Sequence, residues 1–135
     1  MKISGSCLCQ ATRYEIEGPL LSLGHCHCKM CQRFHGTAYA TYGMVDRKSL
    51  TLVDGGATLK TIQSSATVRR SFCGACGSPL MYENEALTDK VWIAAGTFDD
   101  DPRCQPQYHI FVSSKAGWLE INDDLPQFDE LPPAL

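Results

Sequence analysis

No stretch of the sequence is long and apolar enough to span a bilayer, which argues against a helical membrane protein. The first residues, Met1-Lys2-Ile3-Ser4-Gly5-Ser6-Cys7, lack the apolar core of an export signal. The expected location is therefore the cytoplasm, where thiols stay reduced. A basic arm is also missing. Net charge is −3, and the Arg69-Arg70 pair reads as a solvated strand face, so no nucleic-acid partner is expected. No internal repeat and no linker divides the 135 residues, so one domain over 1–135 is expected. Its tail, from about 123 to 135, is acidic and proline-interrupted. With 44% hydrophobic and 20% charged residues, the composition is that of an ordinary soluble protein.

What the chain has instead is cysteine, eight in all. In a reducing compartment eight thiols point to metal rather than to disulfides. A secreted disulfide scaffold is the competing reading, but neither an export leader nor the need of a very small domain supports it. Three of the thiols fall in Gly24-His25-Cys26-His27-Cys28-Lys29-Met30-Cys31. A hydrophobic core does not need three thiols so close together, whereas a soft metal ion needs several sulfur donors at once. Two further pairs flank this stretch, Cys7/Cys9 and Cys73/Cys76.

Taken in order, the chain reads as many short strands. For Cys7 and Cys9 to reach one metal the backbone must bend, and Gly5 permits a bend. Residues 11–16 read as a strand ended by Gly18-Pro19, and 20–23 as a short strand leading to the cysteine trio. Residues 29–35 read as a short helix closed by Gly36. Residues 37–42 are strand-like, and Asp46-Arg47-Lys48 is a turn. Residues 50–53 form a strand, and Asp54-Gly55-Gly56 signals a hairpin. Residues 59–62 and 67–72 are strands separated by Ser64-Ser65. Phe72-Cys73-Gly74-Ala75-Cys76-Gly77 has the form of a zinc knuckle, with glycines that allow the tight turn. Residues 80–82 and 91–94 are buried strands, Gly96 and Asp99-Asp100-Asp101 mark a loop, and 108–112 is a last strand. The tail runs irregularly over the surface with Leu125 and Phe128 tucked in. The fold class is therefore mainly β with little helix.

Counting ligands divides the thiols. Cys7, Cys9, Cys73 and Cys76 complete a tetrahedral structural zinc. Cys26, Cys28 and Cys31 remain, and three protein ligands plus an exchangeable position is the arithmetic of a catalytic zinc. The other partition closes the trio with His27, His35, Cys104 or His109, which leaves a non-catalytic zinc-stabilised binding module. Cys104 is otherwise an odd thiol. His25 and His27 read as groups beside the ligands, His109 as a satisfied core histidine, and Trp92 and Phe111 as core.

The sequence resembles the glutathione-dependent formaldehyde-activating enzyme family, which includes the centromere protein V domain. Three motifs in order carry the likeness: Gly5-Ser6-Cys7-Leu8-Cys9, then Cys26-His27-Cys28-Lys29-Met30-Cys31-Gln32-Arg33, then Phe72-Cys73-Gly74-Ala75-Cys76-Gly77-Ser78-Pro79-Leu80. Looser likeness continues through His109-Ile110, Ser113-Ser114-Lys115-Ala116-Gly117-Trp118 and Leu125-Pro126. The resemblance implies a β-tent fold of zinc-ribbon ancestry, its short sheets set around two zinc sites. It implies structural zinc on Cys7, Cys9, Cys73 and Cys76 and a second zinc on Cys26, Cys28 and Cys31. It also implies carbon–sulfur lyase activity on a small-molecule thiol, glutathione or similar, and its adduct with formaldehyde. His27, Arg33 and His35 stand near enough in sequence to move protons or to hold a substrate carboxylate. A zinc hydrolase is a poorer reading, because three thiolates acidify water less well than histidines do.

Overall fold

The computed structural model describes residues 1–54 and 56–133. In chain order its elements are β1 (Lys2–Ser6), β2 (Arg13–Glu17), β3 (Ser22–Cys26), α1 (Lys29–His35), β4 (Ala40–Asp46), β5 (Leu50–Asp54), β6 (Leu59–Gln63), β7 (Val68–Cys73), β8 (Pro79–Asn84), β9 (Lys90–Ala94) and β10 (His109–Ile110). β1, β2 and β5 form a three-stranded sheet in that order. The others form a seven-stranded sheet ordered β10-β3-β4-β9-β8-β7-β6. The fold is thus mainly β, with open sheets leaning together over a shared core. Among the described residues no helix is long and apolar enough to cross a membrane.

Alternation with period two builds that core. β1 turns Ile3 and Gly5 inward, β2 turns Tyr14 and Ile16, and Ile3 lies opposite Ile16 in the antiparallel register. Leu23, Val45, Leu80, Val91 and Ile93 close on them from the larger sheet. Fully burying one such side chain contributes about 1.5–3 kcal/mol. A second, smaller cluster holds Cys26, Cys31, Ala40, Tyr42 and Ala94, with Trp92 and Phe111 packed against it. Both aromatics belong to this cluster, as expected of core groups.

The helix begins and ends where the sequence places it. Gly36 closes it at φ 65°, a left-handed conformation that glycine adopts without strain. The β6–β7 hairpin around Ser64-Ser65 also forms. Several expectations need correction. Gly5 makes no bend: it lies inside β1, and a Cβ there would stand 2.1 Å from the Tyr14 ring. The bend falls after it, where Gln10 N–H donates to the Cys7 carbonyl at 3.1 Å and Gln10 takes φ 64°. The third and fourth strands start later than expected, at Ser22 and Ala40, and the fourth runs on to Asp46 because β3 and β9 pair with both its edges. No hairpin joins the strands flanking Asp54-Gly55-Gly56, since β5 and β6 belong to different sheets. Gly55 itself lies outside the described residues, as do Ala134 and Leu135.

The last strand is only two residues long, because Phe111 turns out of it at φ 56°. β10 lies parallel to β3, so His109 stands beside His25 and Ile110 beside Cys26. The tail is more ordered than expected beside this strand. His109 N–H donates to the Pro126 carbonyl and Phe128 N–H to the His109 carbonyl, each at 2.9 Å. Leu125 and Phe128 are half-buried, as read.

Candidate metal centre

Two groups of cysteine sulfurs converge. In the first, Cys7 and Cys9 leave β1 in a tight turn, while Cys73 ends β7 and Cys76 sits in the turn to β8. Gly77 makes that turn at φ 83°, and its N–H donates to the Cys73 carbonyl at 2.6 Å. The four sulfurs all lie within 4.8 Å of one another, with Cys7–Cys9 at 3.7 Å and Cys9–Cys73 at 3.9 Å. A tetrahedron with zinc–sulfur bonds of about 2.3 Å has sulfur–sulfur edges of about 3.8 Å, so the group fits such an ion. Thr12 N–H donates to Cys7 Sγ at 3.3 Å. Ser78 Oγ accepts from Leu8 N–H at 2.9 Å and sits 3.2 Å from Cys76 Sγ. The Ser78 hydroxyl, followed by backbone N–H groups, lowers the Cys76 thiol to about 5, toward the thiolate that metals bind.

The second group is Cys26, Cys28 and Cys31, whose sulfurs also lie within 4.8 Å of one another. Cys26 ends β3. Cys28 is the helix N-cap, its sulfur accepting from Cys31 N–H at 3.3 Å, and Cys31 follows in the first turn. Strand end, cap and first turn thus aim three side chains at one point. Hydrogen bonds from Cys26 and Cys31 hold the Cys28 thiol far below its ordinary range, against its burial and with help from Cys31 N–H and Arg70. Among the described residues, no His, Cys, Asp or Glu joins this trio as a fourth close donor.

The four residues weighed as closing ligands are engaged elsewhere. His27 is buried, and its Nε2 lies 2.8 Å from His109 Nδ1. His109 Nε2 in turn meets Asp123 at 2.9 Å, so the chain Asp123–His109–His27 runs from the surface inward. The carboxylate can only accept, so His109 donates to it from Nε2 and turns Nδ1 toward His27 Nε2. Burial, then His109 and His25, lowers His27 to about 4 and keeps it neutral. Its Nδ1 is buried with no hydrogen-bond partner among the described residues. His109 is thus a satisfied core histidine, as read. Cys104 packs against the larger core. His35 is half-buried on α1 with Nε2 at 2.8 Å from the Tyr42 hydroxyl. Burial, then Arg70, lowers it to about 4. Arg33 is exposed on the same helix.

One expectation fails here. Arg69 is exposed, but Arg70 is not on a solvated face: it is 1% exposed and lies inside, against the trio. Its guanidinium donates from Nη1 to Cys31 Sγ at 3.5 Å and to the Tyr42 hydroxyl at 3.2 Å, and from Nε to Ser64 Oγ at 3.1 Å. It also stands over the Phe34 and Tyr82 rings, at 5.8 and 5.1 Å from their centroids. Strand alternation held this signal, because consecutive residues of β7 must face opposite ways. Tyr42 and Asp123 were missed as well. Tyr42 sat in a segment read as strand with no face assigned, and Asp123 meets His109 only through the return of the tail.

The family described as glutathione-dependent formaldehyde-activating enzyme matches residues 2–114. A Halomonas elongata protein, provisionally named as such an enzyme, is 25% identical over 128 residues, covering 90% of this chain and 82% of its own. Proteins of Podospora anserina and Phaeosphaeria nodorum with the same provisional name are each 26% identical and cover 80% and 82% of this chain. The matches span only 53% and 62% of those two proteins. A crystal structure of a Rhodobacter sphaeroides protein shares the fold at 24% identity and TM-score 0.62, covering 74% of this chain and 92% of that one.

Proposed function

The chain belongs to the glutathione-dependent formaldehyde-activating enzyme family, and from that premise we propose a zinc-dependent carbon–sulfur lyase-like enzyme. Its substrates are a small-molecule thiol of the glutathione type and the adduct that this thiol forms with a small carbonyl compound. Cys7, Cys9, Cys73 and Cys76 would hold a structural zinc, and Cys26, Cys28 and Cys31 a second one. The observation that carries the reading is the unmatched trio: three converging sulfurs and no fourth close donor among the described residues. Zinc on those three sulfurs would supply a Lewis-acid position at which a thiol loses its proton.

The rest is the work of this chain's own groups. In the forward direction a carbon–sulfur bond forms, the carbonyl π bond opens, and the proton lost by sulfur ends on oxygen. Nothing is oxidised or reduced. Tyr42 accepts from Arg70 Nη1, so its own hydroxyl proton is directed to His35 Nε2. That pair can pass a proton between the trio's wall and the half-buried helix end. Gln32 Nε2 donates to the carbonyls of His27 and Ser114, at 2.7 and 3.0 Å, and ties the trio loop to the segment after β10. A reducing compartment, the cytoplasm, suits eight free thiols.

The test is cobalt substitution. Protein carrying cobalt in the trio should change its visible spectrum when glutathione is added, and Cys28→Ser should show no such change. Native protein should turn over a thiol–aldehyde adduct, and the Cys28→Ser variant should not. Equal turnover by both would end the proposal. A spectrum indifferent to thiol would favour a closed site in a non-catalytic domain.

A further inference from the structure

Arg70 poses a charge problem. It is the largest fully buried side chain in the described structure, and a guanidinium stays ionised at any pH a protein tolerates. A buried charge without an opposite charge is among the costliest things a fold can carry. Every other arginine in an ion pair, Arg13 and Arg47 and Arg69, is on the surface facing a carboxylate. Among the described residues, no Asp or Glu pairs with Arg70. Its polar neighbours are a serine hydroxyl, a tyrosine hydroxyl and one sulfur, Cys31. Of these, sulfur is the one that becomes an anion when it binds a metal ion.

The arithmetic then depends on what the trio holds. Three thiolates around a divalent ion sum to −1, and Arg70 makes the pocket neutral. The four-sulfur group sums to −2, yet no arginine or lysine is hydrogen-bonded to any of its sulfurs among the described residues. That group includes the exposed Cys9, so water can screen it. The trio has two buried sulfurs and one half-buried. It sits where water screens least and where a built-in cation matters most.

We propose that Arg70 is the counter-charge of the trio's metal ion. It is a positioning residue that raises metal affinity at this site and biases the fourth position toward an anionic sulfur over neutral water. This rests on the reading of the trio as a metal site and adds what that reading lacks, a reason for the site to prefer a thiolate. The donated hydrogen bond to Cys31 also withdraws electron density from that sulfur, leaving the metal a stronger acceptor for its last ligand. Phe34 and Tyr82 favour a cation between their faces and help hold the guanidinium there.

Arg70→Met and Arg70→Lys in the full chain test this, with cobalt(II) and zinc as probes and a competing chelator to measure affinity. In Arg70→Met, affinity at the trio should fall about 10- to 100-fold, and the cobalt–thiolate absorption should shift as Cys31 loses its donor. The four-sulfur site should be unchanged, serving as the internal control. Without metal at the trio, Arg70→Met should melt no lower than the native chain, because it lacks the unpaired charge. Loaded, it should melt lower. Arg70→Lys keeps the charge and should retain affinity within about tenfold of native. Glutathione should bind the cobalt form of Arg70→Met more weakly than the native cobalt form.

Unchanged trio affinity in Arg70→Met overturns the proposal, as does an equal loss of stability with and without metal, which would mark mere packing. If Arg70→Met does not fold, a folded Arg70→Lys that loses affinity by more than about 100-fold overturns it too. Native protein that binds only one metal per chain sinks the underlying reading instead. Native protein with two metals and an indifferent Arg70 sinks this proposal alone.

Discussion

At the scale of single residues, the site is a contest between burial and charge. His35 and His27 are both held neutral, each lowered to about 4 from an ordinary 6.5, chiefly by burial. Between those values an unfolded chain takes up protons that the folded chain refuses. Stability should therefore fall as pH drops from about 6.5 toward 4. His35→Gln should flatten the plot of melting temperature against pH in that window, leaving the share due to His27. Thermal melts of both chains from pH 7 to 4 check this, and parallel curves would refute it. Arg70 marks the limit of reading residues singly. As one of an adjacent basic pair it looked solvated, but on a strand two neighbouring residues cannot share a face.

Elements were the most legible scale where local rules decide. The helix Lys29–His35 was readable because Gly36 supplies the left-handed closing residue, and the structure adds Cys28 as a side-chain acceptor at its start. Nothing lies within 4 Å of a Cβ placed on Gly36, so any cost of substitution there is backbone strain alone. Gly36→Ala should lower stability by about 1–2 kcal/mol, read as a lower urea midpoint with an unchanged slope. The trio's metal affinity should drop with it, since Cys28 and Cys31 both depend on that first turn. Strand ends were less legible. Strand length follows from which neighbours pair on each side, and only the assembled sheet settles that. β4 is longer than its residue types indicated because it is central, and β10 is shorter because Phe111 turns away to pack by the trio. The strands on either side of Asp54-Gly55-Gly56 enter different sheets, and a local turn signal cannot say which sheet the next strand will join.

For the molecule as a whole, the four-sulfur group is a bridge between sheets. Cys9 and Cys73 lie 64 residues apart in sequence, one beyond the three-stranded sheet and one at the end of a strand in the other. A metal there closes a long loop and ties the two sheets together. Cys9→Ser should remove one metal per chain and lower the melting temperature by roughly 10 °C, the equivalent of about 3 kcal/mol. Cys28→Ser should also remove one metal but shift the melt by less than half as much, because the trio lies within one segment and staples nothing distant. Metal analysis beside calorimetry checks both, and equal shifts would contradict the division of roles. By itself the sequence determined the grouping of the cysteines from their spacing and number, the mainly β class from short strands and turn residues, and the family from three motifs in order. Those features rest on local chemistry: donors close in sequence, turn residues and alternation. Only the tertiary structure placed Arg70 against Cys31, Tyr42 beside His35, and Asp123 behind His109. Each of these pairs joins segments that meet through sheet order and the path of the tail, and such meetings are fixed by packing over the whole chain rather than by any short run of residues.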